Sequence, residues 1–366
     1  MKVVHFSITP LAGAPIRLVQ ALNRLTSIKA RLVDFYRHGL YDHDIVFSES
    51  PTEAVALAGE ADIIHLHNYL DLKSGQFAPI DFEKLQHRGK RIVRHFHSTP
   101  DWIAEQMQMP EEKLLACPLP SFVIAQYPER FFPKSRVVPN LIPHSQALYQ
   151  PLSDREEAEF DIFFSPTKTA GAFERRWDTK ASPEVTSMIK RVAERTRCTF
   201  KIMSGRPLDE VLEIKRKSRI IIDDLVTGSY HLTGLEGLAQ GKPVLSFIDE
   251  RCLGLLRYFS GSDHCPFINV RLEDAEEVLL WLLEHPAICE EIGKSGNDWI
   301  HVNWNEAKLI LHFESAYIDL METPEAISHQ EDIFPELYRN PFFNQVLPDL
   351  IFQARKARQS AFGHER

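Results

Sequence analysis

The stretch Gly228–Phe247 (GSYHLTGLEGLAQGKPVLSF) follows the apolar run Arg219–Asp224 (RIIIDD). It combines a small-residue loop, a helical segment with an early acidic residue, a glycine turn and a second apolar run. Small residues ahead of a helix expose backbone N–H groups at its N-terminus, where the aligned peptide dipoles attract an anion. A phosphate can sit there, and Glu236, about one turn into the helix, can accept hydrogen bonds from a sugar diol. The combination describes a site for a nucleotide-linked ligand; the same order also describes an ordinary βαβ crossover with a buried glutamate. The pairs His65/His67 and His95/His97 each place two imidazoles on one face of a strand, a spacing that can hold zinc. No carboxylate sits beside them at a familiar ligand spacing, and strand cores often hold hydrogen-bonded histidines, so no metal is expected. Asp42-His43-Asp44, an Asp-x-Asp pattern, lies in a polar connection with no strand leading into it and reads as a solvated loop. There is no GxGxxG, and Gly293-Lys294-Ser295 lacks the upstream glycine of a phosphate loop, which argues against dehydrogenase and kinase chemistry.

These residues must be positioned by short apolar runs that alternate with helix-period segments. Strands are expected at Val3–Phe6, Ala30–Val33, Asp62–Leu66, Arg91–Phe96, Phe122–Ala125 and Arg136–Val138. A helix from Pro15 to Leu25 presents Leu18, Val19, Leu22 and Leu25 on one face, with proline at a position where its missing N–H costs nothing. Ser50-Pro51-Thr52-Glu53 reads as a capping box opening another helix. Strands separated by helices imply parallel βαβ units and an α/β sheet covered on both faces. The pattern breaks at the acidic stretch Ser153–Glu157, then resumes with strands at Asp161–Phe164, Thr199–Met203, Ile220–Asp224 and Phe267–Val270 and helices over 183–195, 208–216 and 274–283. We therefore expect two Rossmann-like doubly wound parallel-sheet domains, residues 1–150 and 151–322, followed by a helical tail over 323–366.

At 366 residues the chain suits two cores rather than one. A net charge of −9 argues against a dedicated nucleic-acid binder, although Arg88, Lys90, Arg91 and Arg94 form a local basic patch. No apolar run approaches the roughly 20 residues of a membrane span. The N-terminus enters a strand directly, without a signal-peptide core, so a cytoplasmic protein is expected. The five cysteines are scattered without CxxC spacing, which fits thiols rather than a zinc site or disulfide framework.

Five segments, in order, resemble the retaining nucleotide-sugar glycosyltransferases of the GT-B fold known as family 4. They are Leu11-Ala12-Gly13-Ala14-Pro15 in the first strand–loop–helix; Asp62-Ile63-Ile64-His65-Leu66-His67-Asn68; Arg94-His95-Phe96-His97-Ser98; Val138-Pro139-Asn140-Leu141-Ile142; and the segment Gly228–Phe247, similar to the family's G-x-x-x-x-E-A-M-A-x-G-x-P-V-I. The resemblance covers residues 1 to about 320. It departs from the family where two glutamates eight positions apart are usual: Glu236 matches the second, but Gly228 stands at the first. His231 occupies a site often taken by glycine, and Gly13 lacks the neighbouring glycine frequently seen.

The resemblance implies the following roles. Charge growing on a departing diphosphate needs cationic or hydrogen-bonding partners, which such enzymes supply without a metal. Among Lys168, Arg175, Arg176 and Lys180, the resemblance points first to Lys180 and second to Arg176. Leu232 and Thr233 would contribute N–H groups and a hydroxyl to the phosphates, and Gly13 would let the N-terminal backbone approach phosphate or sugar closely. Glu236 would bind the ribose hydroxyls, and His97 would face the donor sugar near the reacting carbon. The function implied is retaining, metal-independent transfer from a UDP- or GDP-sugar to a hydroxyl acceptor by front-face attack, with no cofactor. The expected partners are the nucleotide-sugar and a glycan or lipid-linked acceptor, with peripheral contact at the inner membrane face and no nucleic acid. Two alternatives stand beside it: a GT-B nucleotide-sugar epimerase or hydrolase, and a catalytically degenerate nucleotide-binding subunit.

Overall fold

Seven parallel strands make the first sheet: β1 (Lys2–Ser7), β2 (Lys29–Asp34), β3 (Ile45–Val46), β4 (Ile63–His67), β5 (Arg91–Phe96), β6 (Ser121–Ile124) and β7 (Arg136–Val138). Their spatial order is β3-β2-β1-β4-β5-β6-β7. Five more make the second: β8 (Phe160–Phe164), β9 (Phe200–Ile202), β10 (Ser218–Ile222), β11 (Val244–Ser246) and β12 (Ile268–Asn269), in the order β12-β11-β10-β8-β9. The first order reverses between β1 and β4, as in dinucleotide-binding sheets; the second reverses between β8 and β10, as in the other common doubly wound topology. In both, ligands bind beyond the carboxyl ends of the strands at the reversal. The computed structural model describes residues 1–153, 157–166, 171–172 and 179–328, with single positions Ile333, Leu350 and Gln353. The expected diphosphate partners Lys168, Arg175 and Arg176 lie outside them.

The helix Ala14–Leu25 forms where the apolar spacing places it, burying Leu18, Val19 and Leu22 against the first sheet. The opposite face of that sheet is closed by Phe6, Phe77, Phe82 and the helix Pro51–Glu60. One apolar cluster runs without a break from Val3, Leu22 and Phe122 into Tyr230, Leu235 and Val244 of the second sheet's layer. The two sheets therefore share a core. The helix Glu306–Glu322 follows the second sheet in sequence but turns back onto the first. Arg136 on β7 reaches Asp319 at 3.1 Å, and Tyr317 lies beneath β1 and β4. No described helix is long and apolar enough to cross a membrane.

Three local readings need correction. Ser50 does begin the helix Pro51–Glu60, but its side chain makes no cap; its carbonyl accepts from Ala54, and Glu53 points to Arg31 instead. Arg94 is not part of a surface patch. It sits mid-strand between β4 and β6, 2% exposed, over the Phe96 ring and donating to the Asn68 carbonyl. Only Arg88, Lys90 and Arg91, in the turn and at the strand's start, remain accessible. Asp42-His43-Asp44 is not wholly a solvated loop. Asp44 accepts from the Leu32 N–H and Arg31, and His43 holds Asp34 at 2.8 Å, which ties the loop to β2.

Candidate active site

The carboxyl end of β10 falls at Ile222, so Asp223 and Asp224 emerge at the reversal point rather than continuing the strand. Asp224 turns the chain by accepting from the N–H groups of Val226 and Thr227. Asp223 joins two cationic or donor groups: Oδ1 lies 2.9 Å from the Lys180 ammonium, and Oδ2 accepts from the His231 N–H at 2.7 Å. Burial pushes the Asp223 carboxyl up, but Lys180 and His231 outweigh it and hold the group below its ordinary range. Asp224 is pushed up by burial, against the opposing pull of His231.

His231 is the residue just before the helix Leu232–Ala239, which has no side-chain cap. Gly234 and Leu235 donate back to the His231 carbonyl, whereas the N–H groups of Leu232 and Thr233 have no partner among the described residues. Two free donors and the helix dipole thus point at the space beside Lys180, a suitable seat for a phosphate. Glycine is required inside this turn. A Cβ on Gly234 would lie 2.5 Å from Asp223 Oδ2 and 2.9 Å from the Phe267 ring. Gly234→Ala is therefore expected to displace Asp223 from His231, to cost about 1–3 kcal/mol of stability and to weaken nucleotide binding; a melting series with and without nucleotide checks both.

Glu236 projects from the same helix into the interface between the layers. Its Oε1 accepts from Arg17 at 2.5 Å, and its Oε2 pairs with Lys215. All three side chains are buried. Burial raises the Glu236 carboxyl, but the two cations override it and keep it below the usual carboxylate range. The same burial lowers Lys215, while Glu236 opposes that shift. Arg17 stands one turn beyond Gly13, so this contact draws the Gly13 loop toward the second sheet. Gly13 itself has φ +78°, and a Cβ there would meet the Tyr41 ring at 2.6 Å.

Further polar contacts pin the Gly228 loop to the first layer. Gln126 donates to the Tyr230 carbonyl, Tyr230 to the Ala125 carbonyl, and the Tyr127 N–H to Ser229. Arg130 with Asp249, and Arg251 with Glu129, close the same seam. Gly228 has φ +85°, and a Cβ there would lie 2.9 Å from Asp249. The position where the resembling family carries its first glutamate is thus filled by an ion pair between the layers.

His97 follows the last residue of β5, the strand next to β4 and one beyond the first sheet's reversal, and is 8% exposed. Asn68, just beyond β4, accepts from the His97 N–H at 2.6 Å and donates to Ser98. Behind His97 lie His5, His65, His67 and His95, all on one face of β1, β4 and β5, with His5 paired in register to His65 and His67 to His95. Burial holds His5 and His97 down to about 3, and the others well below their ordinary value. All five are neutral at pH 7.

The fold thus brings Lys180, Leu232 and Thr233 together and places Glu236 one turn behind them, with Gly13 after β1 at the other sheet's reversal and His97 after β5, one strand beyond it. Sequence reasoning missed Asp223, Arg17, Lys215 and Asn68. The doublet Asp223-Asp224 at the end of an apolar run was a usable signal. Arg17 and Lys215 carried none, since a lone cation on an amphipathic helix reads as a solvated face.

No family model matches this chain. A trehalose synthase from Pyrococcus horikoshii is 26% identical to it over 114 residues, a match that takes in 31% of this chain and 26% of that protein. Among solved structures, Anabaena HepE in complex with UDP and glucose aligns with a TM-score of 0.58 at 12% identity, over 87% of this chain and 100% of that one. An α-glucosyltransferase in complex with UDP and a 13-mer DNA aligns with a TM-score of 0.57 at 13% identity, over 88% and 99%. Two parallel α/β sheets, matched by these structures over 87–88% of the chain, give it the GT-B fold.

Proposed function

We propose that the protein is a retaining glycosyltransferase that moves a sugar from a UDP- or GDP-sugar to a hydroxyl of a glycan or lipid-linked acceptor. The observation that carries this reading is the pair of N–H groups at Leu232 and Thr233 that have no partner among the described residues, with Lys180 held alongside through Asp223. The diphosphate lies on those donors, and Lys180 meets the charge that grows as the glycosidic bond breaks. Arg176, which lies outside the described residues, would by the resemblance add a second cation, and the transfer would need no metal. Glu236 accepts from the ribose hydroxyls while Arg17 and Lys215 keep it ionised, and His97 and the Gly13 backbone face the sugar. The acceptor enters from the first layer, at the cytoplasmic membrane face for a lipid carrier.

A melting series with UDP, GDP, CDP and ADP, with and without EDTA, tests the donor site. At a hundredfold excess over Kd, a ligand of the folded state adds about 2.7 kcal/mol. UDP or GDP is expected to stabilise the protein irrespective of EDTA. Leu232→Pro removes one phosphate-facing N–H at a helix position that tolerates proline, and His231 (φ −123°, ψ 174°) already has the extended backbone a following proline demands. That variant should stay helical and lose the nucleotide shift. Stabilisation by no nucleotide, or an unchanged shift in Leu232→Pro, would sink the assignment. The filled position at Gly228 favours one second reading, a subunit that binds the nucleotide without turning it over; binding without donor hydrolysis or transfer would select it.

A further inference from the structure

A parallel sheet buried on both faces is ordinarily lined by Val, Ile and Leu, yet here one face carries five imidazoles in contact. Four of them, with one tyrosine, form an unbroken chain. His97 Nε2 lies 3.0 Å from His67 Nδ1, and His67 Nε2 lies 3.1 Å from His5 Nδ1. His5 Nε2 is 3.4 Å from the Tyr317 hydroxyl, which is 2.7 Å from His65 Nδ1. His65 Nε2, at the far end, is buried without a partner among the described residues. His95 stands outside the chain, its ring 4.0 Å from that of His97 and tilted to it, with neither ring nitrogen partnered among the described residues.

A neutral imidazole has one N–H and one lone pair, so the imidazole–imidazole links all run the same way, whereas the Tyr317 hydroxyl can accept from both His65 and His5 only by leaving its own O–H without an acceptor. Inward donation from His97 would leave a buried donor with nothing to accept it among the described residues: the His65 Nε2–H if Tyr317 donates to His65, or the Tyr317 O–H if Tyr317 accepts from both neighbours. Outward donation leaves only a lone pair at His65 Nε2, and buried orphan donors are the rarer defect. The outward sequence is complete. His65 Nδ1–H donates to Tyr317, Tyr317 to His5 Nε2, His5 Nδ1–H to His67 Nε2, and His67 Nδ1–H to His97 Nε2. His97 must then carry its proton on Nδ1, the ring nitrogen that has no protein partner among the described residues.

We propose that His67, His5, Tyr317 and His65 are positioning residues that fix His97 as the Nδ1–H tautomer, making it a hydrogen-bond donor to an oxygen of the bound sugar rather than a base. The sugar as recipient rests on the reading given under Proposed function; the tautomer does not. Tyr317 belongs to the helix Glu306–Glu322, so the return of that helix onto the first sheet also sets the proton position at the cleft.

Long-range ¹H–¹⁵N spectra of the full chain with labelled histidine distinguish the two tautomers. The wild type should show His97 as Nδ1–H. Tyr317→Phe keeps the ring and its packing but cuts the chain, and His97 should become a mixture of tautomers. Donor turnover should fall about 3- to 10-fold in kcat/KM, the effect of one neutral hydrogen bond, while the UDP melting shift is retained. His67→Phe, which cuts the chain nearer its end, serves as the second variant should Tyr317→Phe not fold. An Nε2–H His97 in the wild type, or a tautomer unchanged in both variants, would overturn the proposal. So would stoichiometric cobalt(II) binding with its visible absorption, because a metal would need the lone pairs that the chain consumes. Intact tautomers without any nucleotide shift would sink the donor reading alone.

Discussion

Acidification from pH 6.5 to about 4.5 is expected to unfold the protein, with uptake of several protons. Each buried histidine is neutral in the folded state and free to charge in the unfolded one, so the unfolded state binds more protons throughout this window. Stability carried by such a group is complete above about pH 6.5 and is lost as pH falls toward the folded value, about 3 for His5 and His97. Each of these two costs about 1.4 kcal/mol per pH unit, so together they remove about 5 kcal/mol by pH 4.5. His65, His67 and His95 act in the same direction. Asp34 works against them: burial raises it to about 6, so its native form takes up a proton early and returns about 2 kcal/mol by pH 4.5. The histidines outnumber it, and the net loss is of the order of a typical domain's whole stability. Urea melts at pH 7.5, 6.5, 5.5 and 4.5 measure the slope. A midpoint that stays flat across that range would mean the histidines are hydrated or charged, contrary to the packing described.

Glu236→Ala is expected to cost about 3–5 kcal/mol of folding free energy, because it strands two buried cations. Arg17 and Lys215 approach the same carboxylate from a helix of the first layer and a helix of the second, and neither side chain reaches solvent. Removing the anion leaves both desolvated and mutually repulsive. Glu236→Gln keeps the shape and one of the two acceptor oxygens but removes the charge, and should fall between alanine and wild type. The triple replacement Arg17→Met, Lys215→Met, Glu236→Leu should recover most of the loss, since well-packed apolar groups often match a buried ionic triad. Urea unfolding of the four proteins decides the matter; a Glu236→Ala midpoint within about 0.5 kcal/mol of wild type, the range of a neutral surface change, would show that the triad does not form. Loss of nucleotide binding in Glu236→Ala alone would not identify a ribose contact. The Glu236→Gln protein, measured well below its melting point, is the informative comparison.

Element types were legible in the sequence because they depend on local chemistry. The apolar runs at Val3–Phe6 and Asp62–Leu66, the face of Leu18, Val19 and Leu22, and the small residues before Leu232 each report a conformation that a few neighbouring residues decide. The parallel arrangement followed from the alternation of strands with helices, and the free helix N-terminus from the loop ahead of it. Even local signals misled where a distant group competed: Glu53 turned to Arg31 rather than completing a cap, and Arg94 went inside because β4 and β6 flank its strand.

The sequence by itself therefore determined most of the strands, the helix that begins near Pro15 and the loop ahead of Leu232, all set by periodicity and turn geometry over ten or so residues. The short strand Ile45–Val46 and the helices Glu250–Ser260, Pro286–Asn303 and Glu306–Glu322 were not read from it. Only the tertiary structure decided what the charged and titratable groups do. Arg17 and Glu236 are 219 positions apart, and His65 and Tyr317 are 252. A salt bridge or hydrogen bond acts over about 3 Å in space and leaves no periodic mark on either segment. Strand register aligned His5, His67 and His97 into one chain, and the returning helix Glu306–Glu322 supplied the hydroxyl that completes it.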